Sequence, residues 1–186
     1  ALLTPKCAIL THPGAPSRRG EVQHIVKAVE QFYPNLEHIN LPGTVEAGDI
    51  MMVKNHFYIG ISARTNTQGA EQLIDILGQY NLTGSMVEMS ALLHLKTGVS
   101  YLENNHLLTF DEMHNHPTFN QFKRIEIAKD ESYAANSVWI NGTILVPKGF
   151  PNALKAIQQL GYPTIEVSMS EFQKLDGGLS CLSLRF

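Results

Sequence analysis

The stretch Glu46-Ala47-Gly48-Asp49 leads into two short apolar runs, Asp49–Val53 and Phe57–Ile61, which are separated by a short polar loop. This arrangement is typical of a β-hairpin. Apolar residues at helical spacing follow over Ala70–Leu77, and a further strand is predicted near Ser85–Met89. The stretch therefore predicts a unit with the order strand, strand, helix, strand.

The same order recurs along the chain. Its clearest turn is Asn141-Gly142, because an Asn-Gly pair between two apolar runs is a strong signal for a tight hairpin. The other predicted strands are Ala8–Thr11, Leu36–Leu41, Val99–Leu102, Leu107–Phe110, Arg124–Ala128, Ser137–Ile140, Thr143–Val146 and Thr164–Val167, and the other predicted helices are Glu21–Phe32, a polar, His-rich stretch after Phe110, and Asn152–Leu160. We therefore expect an α/β fold of repeated ββαβ modules.

Three reactive side chains, Glu46, His94 and Cys181, stand at the same place in different modules. With Tyr133 as a fourth member, the steps from 46 to 94, from 94 to 133 and from 133 to 181 are 48, 39 and 48 residues. In a radial array of modules, equivalent strand ends converge on one axis, so residues distant in sequence can meet. Cysteine, histidine and glutamate are the parts of an activated-thiol mechanism, and the pattern predicts a shared catalytic site. The alternative is structural: a buried cysteine and a histidine held in the core.

Length and composition bound the class of protein. The chain has 186 residues, 44% of them hydrophobic and 17% charged, so one domain spanning 1–186 is expected. A formal net charge of -3 gives no electrostatic footprint for nucleic acid or an anionic membrane. No stretch approaches the roughly 18 to 20 apolar residues of a membrane span. The two cysteines lie far apart in sequence and fit a reducing compartment, so a cytoplasmic location is expected.

Neither a metal nor a cofactor is expected. His106, His114 and His116 are close in sequence, but their spacing lacks a cysteine or carboxylate partner, and a solvated helix face explains them better. Cys181 and His94 could bind a soft ion such as Zn²⁺, which would block the nucleophile rather than help it.

Several strings occur in order and with fitting spacing along the whole chain. They are Gly14-Ala15-Pro16-Ser17-Arg18-Arg19-Gly20, Glu46-Ala47-Gly48-Asp49, Ala63-Arg64-Thr65-Asn66, Leu93-His94-Leu95-Lys96-Thr97, Tyr133-Ala134-Ala135-Asn136 and Asp176-Gly177-Gly178-Leu179-Ser180-Cys181. Together they resemble the bacterial dimethylarginine dimethylaminohydrolases, a family of the guanidino-group-modifying (pentein) superfamily.

The resemblance implies a fold and a reaction. The fold would be a five-bladed α/β propeller of ββαβ modules around a central pocket, and the reaction would be hydrolysis of Nω-methylated arginines to citrulline and a methylamine. By the same resemblance, Cys181 is the nucleophile that attacks the guanidinium carbon, and His94 protonates the departing amine and then activates water. Glu46 is the carboxylate that orients His94.

The implied ligand is a small molecule, a methylated arginine, and its amino-acid end has its own expected partners. Arg18 and Arg64 each precede the helix of their module and resemble the groups that bind the substrate α-carboxylate, while a backbone carbonyl near Leu175 receives the α-amine. Two arginines suit a carboxylate because each offers a fork of donors. Surface solvation is the alternative for both arginines. Whether the protein forms a homodimer is left open.

Two other functions stay open. An arginine deiminase or a related amidino hydrolase would use similar residues, although the deiminases of this superfamily carry a large helical insertion for which the chain has no room. The other alternative is a catalytically silent pentein that binds arginine-like ligands or a protein partner. Such a protein would have no reason to hold Cys181, His94 and Glu46 in register.

The resemblance also implies acidic residues that hold the substrate guanidinium, and Ala1 would follow them almost directly. About one N-terminal module is therefore expected to be missing from this chain.

We predict that a protein of only these 186 residues turns over methylarginine slowly or not at all, and that an added N-terminal module with paired carboxylates restores activity. The test measures the intact mass and the citrulline formation of one sample. Full activity of a chain whose mass corresponds to these 186 residues would contradict the prediction.

Overall fold

A computed structural model describes residues 1–182 of the chain. Within those residues the strands form four three-stranded sheets. In each sheet the central strand pairs antiparallel with the strand before it and parallel with the strand after it. A hairpin can join the antiparallel pair, whereas the parallel pair needs a longer crossover connection. The predicted α/β fold of ββαβ modules is confirmed.

The first module shows how a module is built. Strand β1 (Leu2–Leu3) pairs with β2 (Ala8–Leu10), and α1 (Glu21–Val29) carries the chain to β3 (Leu36–His38), which lies parallel to β2. A 3₁₀ turn at Pro16–Arg18 precedes α1. This turn places the first predicted site arginine between the central strand and the crossover helix.

The later modules keep the order of three strands, and the second and fourth also keep the crossover helix. Their elements are β4 (Ile50–Val53), β5 (His56–Ile61), α2 (Thr67–Gln79) and β6 (Thr83–Glu88) in the second, α3 (Leu95–Gly98), β7 (Val99–Tyr101), β8 (His106–Thr109) and β9 (Lys123–Glu126) in the third, and β10 (Val138–Ile140), β11 (Thr143–Pro147), α4 (Pro151–Gln159) and β12 (Thr164–Val167) in the fourth, followed by α5 (Ser170–Gln173). Among the helices of residues 1–182, none is long and apolar enough to cross a membrane.

The third module departs from the predicted pattern. Its polar, His-rich crossover forms two 3₁₀ turns, Asp111–Met113 and Pro117–Phe119, instead of an α-helix. Proline lacks a backbone N–H and disfavours helical geometry in the residue before it, so Pro117 prevents one continuous helix. The side chains of Met113 and Phe119, one in each turn, are nevertheless fully buried.

The described chain divides into two compact units, residues 1–94 and residues 95–182. The first unit contains the first two modules. Phe57 and Ile59 alternate along β5 and therefore share one face, while Leu73 and Leu77 lie one turn apart on α2. These four side chains are fully buried in one apolar cluster.

The second unit repeats this packing with different residues. Ile144 and Val146 share a face of β11, and Ala153 and Ile157 lie one turn apart on α4. All four belong to the apolar cluster of residues 95–182. In both units, the spacing of apolar residues along the central strand and the crossover helix thus places their side chains in one buried core. That residues 1–186 form a single domain stays a prediction.

A buried carboxylate caps α4. Glu131 Oε2 accepts a hydrogen bond of 2.6 Å from the backbone N–H of Ala153, and Glu131 Oε1 accepts bonds of 3.1 and 2.9 Å from the backbone and side chain of Asn152. The first N–H groups of a helix have no partner within the helix, and the helix dipole favours a negative charge beside them. Glu131 therefore holds the start of α4 against the 3₁₀ segment Lys129–Ala135, which precedes β10.

We predict that Glu131→Ala lowers the free energy of unfolding by about 1–3 kcal/mol, because buried N–H groups lose a charged acceptor. Urea denaturation followed by circular dichroism measures the change. The neighbouring exposed residue supplies the matched control: Asp130→Ala should change stability by less than about 0.5 kcal/mol. Equal effects of the two substitutions would contradict the capping role.

Candidate active site

Glu46 lies immediately before a 3₁₀ turn, Ala47–Asp49, that leads into β4. Its backbone N–H donates to Thr65 Oγ1 at 3.0 Å, and its backbone carbonyl accepts from the N–H of Asp49 at 2.9 Å. Only 4% of its side chain is exposed, and Oε1 accepts from the backbone N–H of Ala15 at 3.2 Å. The carboxylate is thus buried in a fixed position.

His94 lies between two carboxylates. Its Nε2 is 3.5 Å from Glu46 Oε2, and its Nδ1 is 3.3 Å from Asp49 Oδ1. The His94 side chain is 18% exposed, whereas Asp49 is completely buried. A protonated imidazole can donate to both carboxylates at once, and a neutral ring can donate to only one of them. The arrangement therefore holds a proton-carrying side chain in one orientation with one part of it open to solvent.

Asp49 is itself held by hydroxyl groups. Its Oδ2 accepts from Ser62 Oγ at 2.8 Å and from Thr65 Oγ1 at 2.6 Å. Because Thr65 also accepts from the backbone of Glu46, one hydroxyl connects the two carboxylate-bearing residues. Asp49 was not predicted as a partner of His94, although it stands in the same four-residue string as Glu46. The presence of a second acidic residue, Asp49, at the end of that string could have indicated a second carboxylate partner for His94.

Gly48 makes room for the imidazole. A Cβ atom built on Gly48 would lie 2.8 Å from Cγ and 3.0 Å from Cδ2 of His94. Real side chains do not approach so closely, so any larger residue would push the ring away. The glycine between the two acids is therefore a packing requirement of His94.

Arg18 contacts Glu46 at the same site. Its Nη1 donates to Glu46 Oε2 at 3.1 Å, while Nε and Nη2 donate to the two carboxylate oxygens of Glu21 at 3.1 and 3.0 Å. Hydrogen bonding to Glu21, assisted by the charge of Glu46, raises the pKa of Arg18, and the bond from Arg18 lowers the pKa of Glu21. The guanidinium is half exposed and has further N–H groups beyond these bonds.

Arg64 lies on the loop that also supplies Thr65. Its backbone N–H donates to Ser62 Oγ at 3.0 Å, and its side chain is half buried. A Cβ atom on Gly14 would lie 2.3 Å from the Arg64 carbonyl oxygen, so the two loops are in close contact at Gly14. Within residues 1–182 the structure shows no ion pair for the Arg64 guanidinium.

Cys181 belongs to the second unit. It lies in a 3₁₀ turn, Leu179–Leu182, and its backbone N–H donates to the Gly178 carbonyl at 3.0 Å. Its thiol is free, and the residue is exposed. Leu175, six residues earlier, is 84% exposed. Both residues are accessible to a ligand from solvent.

The structure therefore places the predicted residues in two groups. Arg18, Glu46 and His94 are connected by contacts within residues 1–94, and Arg64 lies on a loop of that same unit. The second group, Leu175 and Cys181, lies within residues 95–182. The catalytic and binding roles of all of these residues stay predictions.

The histidines considered for a metal have protein partners. Nδ1 of His106 lies 2.8 Å from Tyr162 Oη, Nδ1 of His114 lies 2.9 Å from Thr109 Oγ1, and Nδ1 of His116 accepts from a backbone N–H. Over the part of the chain that the structure describes, no three histidine, cysteine or acidic residues are grouped to hold a metal ion.

Comparisons with known proteins agree on one family. The family model for arginine deiminase matches residues 15–142. The chain is 55% identical to the N(G),N(G)-dimethylarginine dimethylaminohydrolase of Pseudomonas aeruginosa, over 100% of this chain and 73% of the relative. A crystal structure of that P. aeruginosa enzyme, a cysteine-to-serine variant complexed with citrulline, has a TM-score of 0.98 at 54% identity, covering 100% of this chain and 73% of the other. A histidine-to-glycine variant of a dimethylarginine dimethylaminohydrolase, in an adduct with S-methyl-L-thiocitrulline, has a TM-score of 0.97 at 54% identity with the same coverage.

We predict that Gly48→Ala displaces His94 from its two carboxylates, because the new methyl group would overlap the imidazole. Nitrogen-15 NMR of the imidazole nitrogens should show changed signals for His94. A separate activity assay should show a loss of catalytic rate. Gly78→Ala is the control, since nothing lies within 4 Å of a Cβ there and alanine favours a helix. Unchanged His94 signals in Gly48→Ala would show that the ring does not depend on this glycine.

Proposed function

The chain belongs to the dimethylarginine dimethylaminohydrolases, within the wider family that the arginine deiminase model describes, and on this premise we propose that it hydrolyses Nω,Nω-dimethylarginine to citrulline and dimethylamine. The observation that carries the proposal is His94, whose ring nitrogens face two buried carboxylates. A histidine held in this way can give a proton to a leaving group and later remove one from water.

The first half of the reaction forms a carbon–sulfur bond. The thiolate of Cys181 attacks the guanidinium carbon, and His94 donates a proton to the dimethylated nitrogen. The carbon–nitrogen bond then breaks, dimethylamine leaves, and an S-alkylthiouronium remains on Cys181. A guanidinium is a poor electrophile, so division into two steps through a covalent intermediate lowers each barrier. The exposed position of Cys181 is compatible with attack on a ligand from solvent.

The second half breaks the carbon–sulfur bond. His94, now without its proton, removes a proton from water, and the resulting hydroxide attacks the thiouronium carbon. The bond to sulfur breaks, the thiolate of Cys181 is restored, the proton of the new hydroxyl group passes to solvent, and citrulline is released. Glu46 and Asp49 support both halves because they orient one ring that is an acid first and a base afterwards.

The α-carboxylate of the substrate is assigned to the two arginines. Arg64 supports this role because its guanidinium shows no ion pair within residues 1–182. Arg18 is bound to Glu46 and Glu21, so it would use its remaining N–H groups or exchange one of these acids for the substrate. We assign the α-amine to the backbone carbonyl of Leu175, whose exposure leaves it open to a ligand.

A second candidate is the deimination of unmethylated arginine, and the arginine deiminase model that matches residues 15–142 favours it. The two reactions share citrulline as a product but differ in the amine released. Parallel assays with arginine and dimethylarginine, which measure ammonia and dimethylamine separately, distinguish them. Faster release of ammonia from arginine would favour the second candidate.

The cellular setting belongs to the proposal as well. We place the protein in the cytoplasm, since Cys7 and Cys181 are both free thiols.

We predict that Cys181→Ser abolishes citrulline formation from dimethylarginine in the full-length protein while the circular dichroism spectrum stays unchanged. A serine hydroxyl is far less nucleophilic than a thiolate at neutral pH. Cys7→Ala provides the control, because Cys7 is the other cysteine of the sequence and is fully buried. Retained turnover in Cys181→Ser would refute the proposed nucleophile.

We predict that Arg64→Ala raises KM for dimethylarginine by roughly tenfold to a hundredfold, because a charged hydrogen bond of this kind contributes about 1.5–3 kcal/mol. The rate with dimethylguanidine, which has no carboxylate, should change little. Arg18→Ala should change both KM and kcat, since Arg18 also contacts Glu46. Arg19→Ala, at an exposed neighbour, is the control. Equal losses with both substrates in Arg64→Ala would contradict the assignment.

A further inference from the structure

The turn that carries Cys181 packs against the protein at Leu179, which belongs to the apolar cluster with Val138 and Met169. Asp176 adopts a left-handed backbone with φ of 57°, two glycines follow, and Cys181 itself is exposed. Glycines and exposed side chains leave many backbone conformations open. Hydrogen bonds from residues outside the turn to its backbone therefore help to determine where the thiol lies.

The first such contact comes from Asn136. Its Oδ1 accepts from the backbone N–H of Ser180 at 2.9 Å, and its Nδ2 donates to Ser180 Oγ at 2.9 Å and to the Lys96 carbonyl at 2.9 Å. One amide thus holds the residue directly before Cys181 and ties it to α3. A Cβ atom on Gly178 would lie 2.8 Å from Cγ of Asn136, so the turn lies directly against this side chain.

The second contact comes from Tyr133, three residues before Asn136. Its hydroxyl donates to the Gly177 carbonyl at 2.5 Å, and its ring packs against Phe150 with centroids 5.7 Å apart. Burial, with a smaller contribution from the charge of Cys181, raises the pKa of Tyr133. The phenol therefore stays protonated and remains a donor to the turn near the thiol.

We propose that Asn136 and Tyr133 are positioning residues for Cys181. They bind the two ends of the segment 177–180 and so hold the thiol where it is presented to the substrate, a role that rests on the proposed function. Their side chains act through the backbone of the turn. A nucleophile must be held close to its attack geometry, and a displacement of about 1 Å can cost about a hundredfold in rate. The amide of Asn136 suits the task because it can accept from one group and donate to two others.

Asn136→Ala, Asn136→Asp and Tyr133→Phe test the proposal in the full-length protein. The aspartate keeps the acceptor for Ser180 but loses the donors to Ser180 Oγ and Lys96, and the phenylalanine keeps the ring packing. Two matched controls lie in the same unit. Asn105→Asp alters an amide that donates to the Gln121 carbonyl at 2.8 Å, and Tyr162→Phe removes a hydroxyl that donates to the Glu103 carbonyl at 2.9 Å.

Two measurements are made well below the unfolding temperature of every variant. Hydrogen exchange of the peptide covering residues 177–182 should be at least about tenfold faster in Asn136→Ala than in the parent protein. With dimethylarginine, kcat should fall roughly tenfold to a hundredfold in Asn136→Ala, with smaller losses in Asn136→Asp and Tyr133→Phe, while KM stays within about threefold. Both controls should keep the exchange of residues 177–182 and the kcat of the parent protein.

Several outcomes would overturn the proposal: faster exchange with unchanged kcat, a lower kcat with unchanged exchange, or an equal loss of kcat in the controls. A parent protein that releases no dimethylamine would instead refute the proposed function. The hydrogen exchange of residues 177–182 would then still decide whether Asn136 and Tyr133 hold the turn.

Discussion

The position of His94 depends on burial of the Asp49 carboxylate. A buried charge is costly unless hydrogen bonds compensate it, and Ser62, Thr65 and His94 all contact this carboxylate. The same Thr65 hydroxyl accepts a hydrogen bond from the backbone N–H of Glu46. The position of Glu46 is therefore linked to that of Asp49 through Thr65. A substitution that removes the hydrogen bonds to Asp49 is therefore expected to alter three things together: the loop that carries Ser62 and Thr65, the position of Glu46 and the orientation of the His94 imidazole.

The module explains how such a site can be built from residues that are distant in sequence. Glu46 and His94 each stand immediately before a short helical turn, Ala47–Asp49 and α3, and each turn leads into the first strand of a sheet. A residue at that point lies outside the strand ladder, so its side chain has no role in pairing strands. Repetition of the module thus supplies equivalent positions that can diverge in chemistry while the sheets and cores stay the same.

Local periodicity predicted most of the fold. The hairpin around Asn141-Gly142 and the helix α4 lie within one residue of their predicted ends, because turn chemistry and helical spacing act over neighbouring residues. The crossover of the third module was mispredicted as a single helix, since Pro117 outweighed the surrounding pattern. The contact between Asp49 and His94, 45 residues apart, and the bonds of Asn136 could not be predicted, because both depend on tertiary packing.

The most direct test of the chemistry uses S-methyl-L-thiocitrulline with His94→Ala. Its methanethiol leaving group needs no proton from the protein, so the attack by Cys181 should still proceed, whereas hydrolysis, which needs His94, should stop. We predict a stable adduct on the peptide that contains Cys181, with the mass of the analogue less methanethiol, and none on the peptide that contains Cys7. Release of citrulline by His94→Ala at the parent rate, or an adduct at another residue, would contradict it.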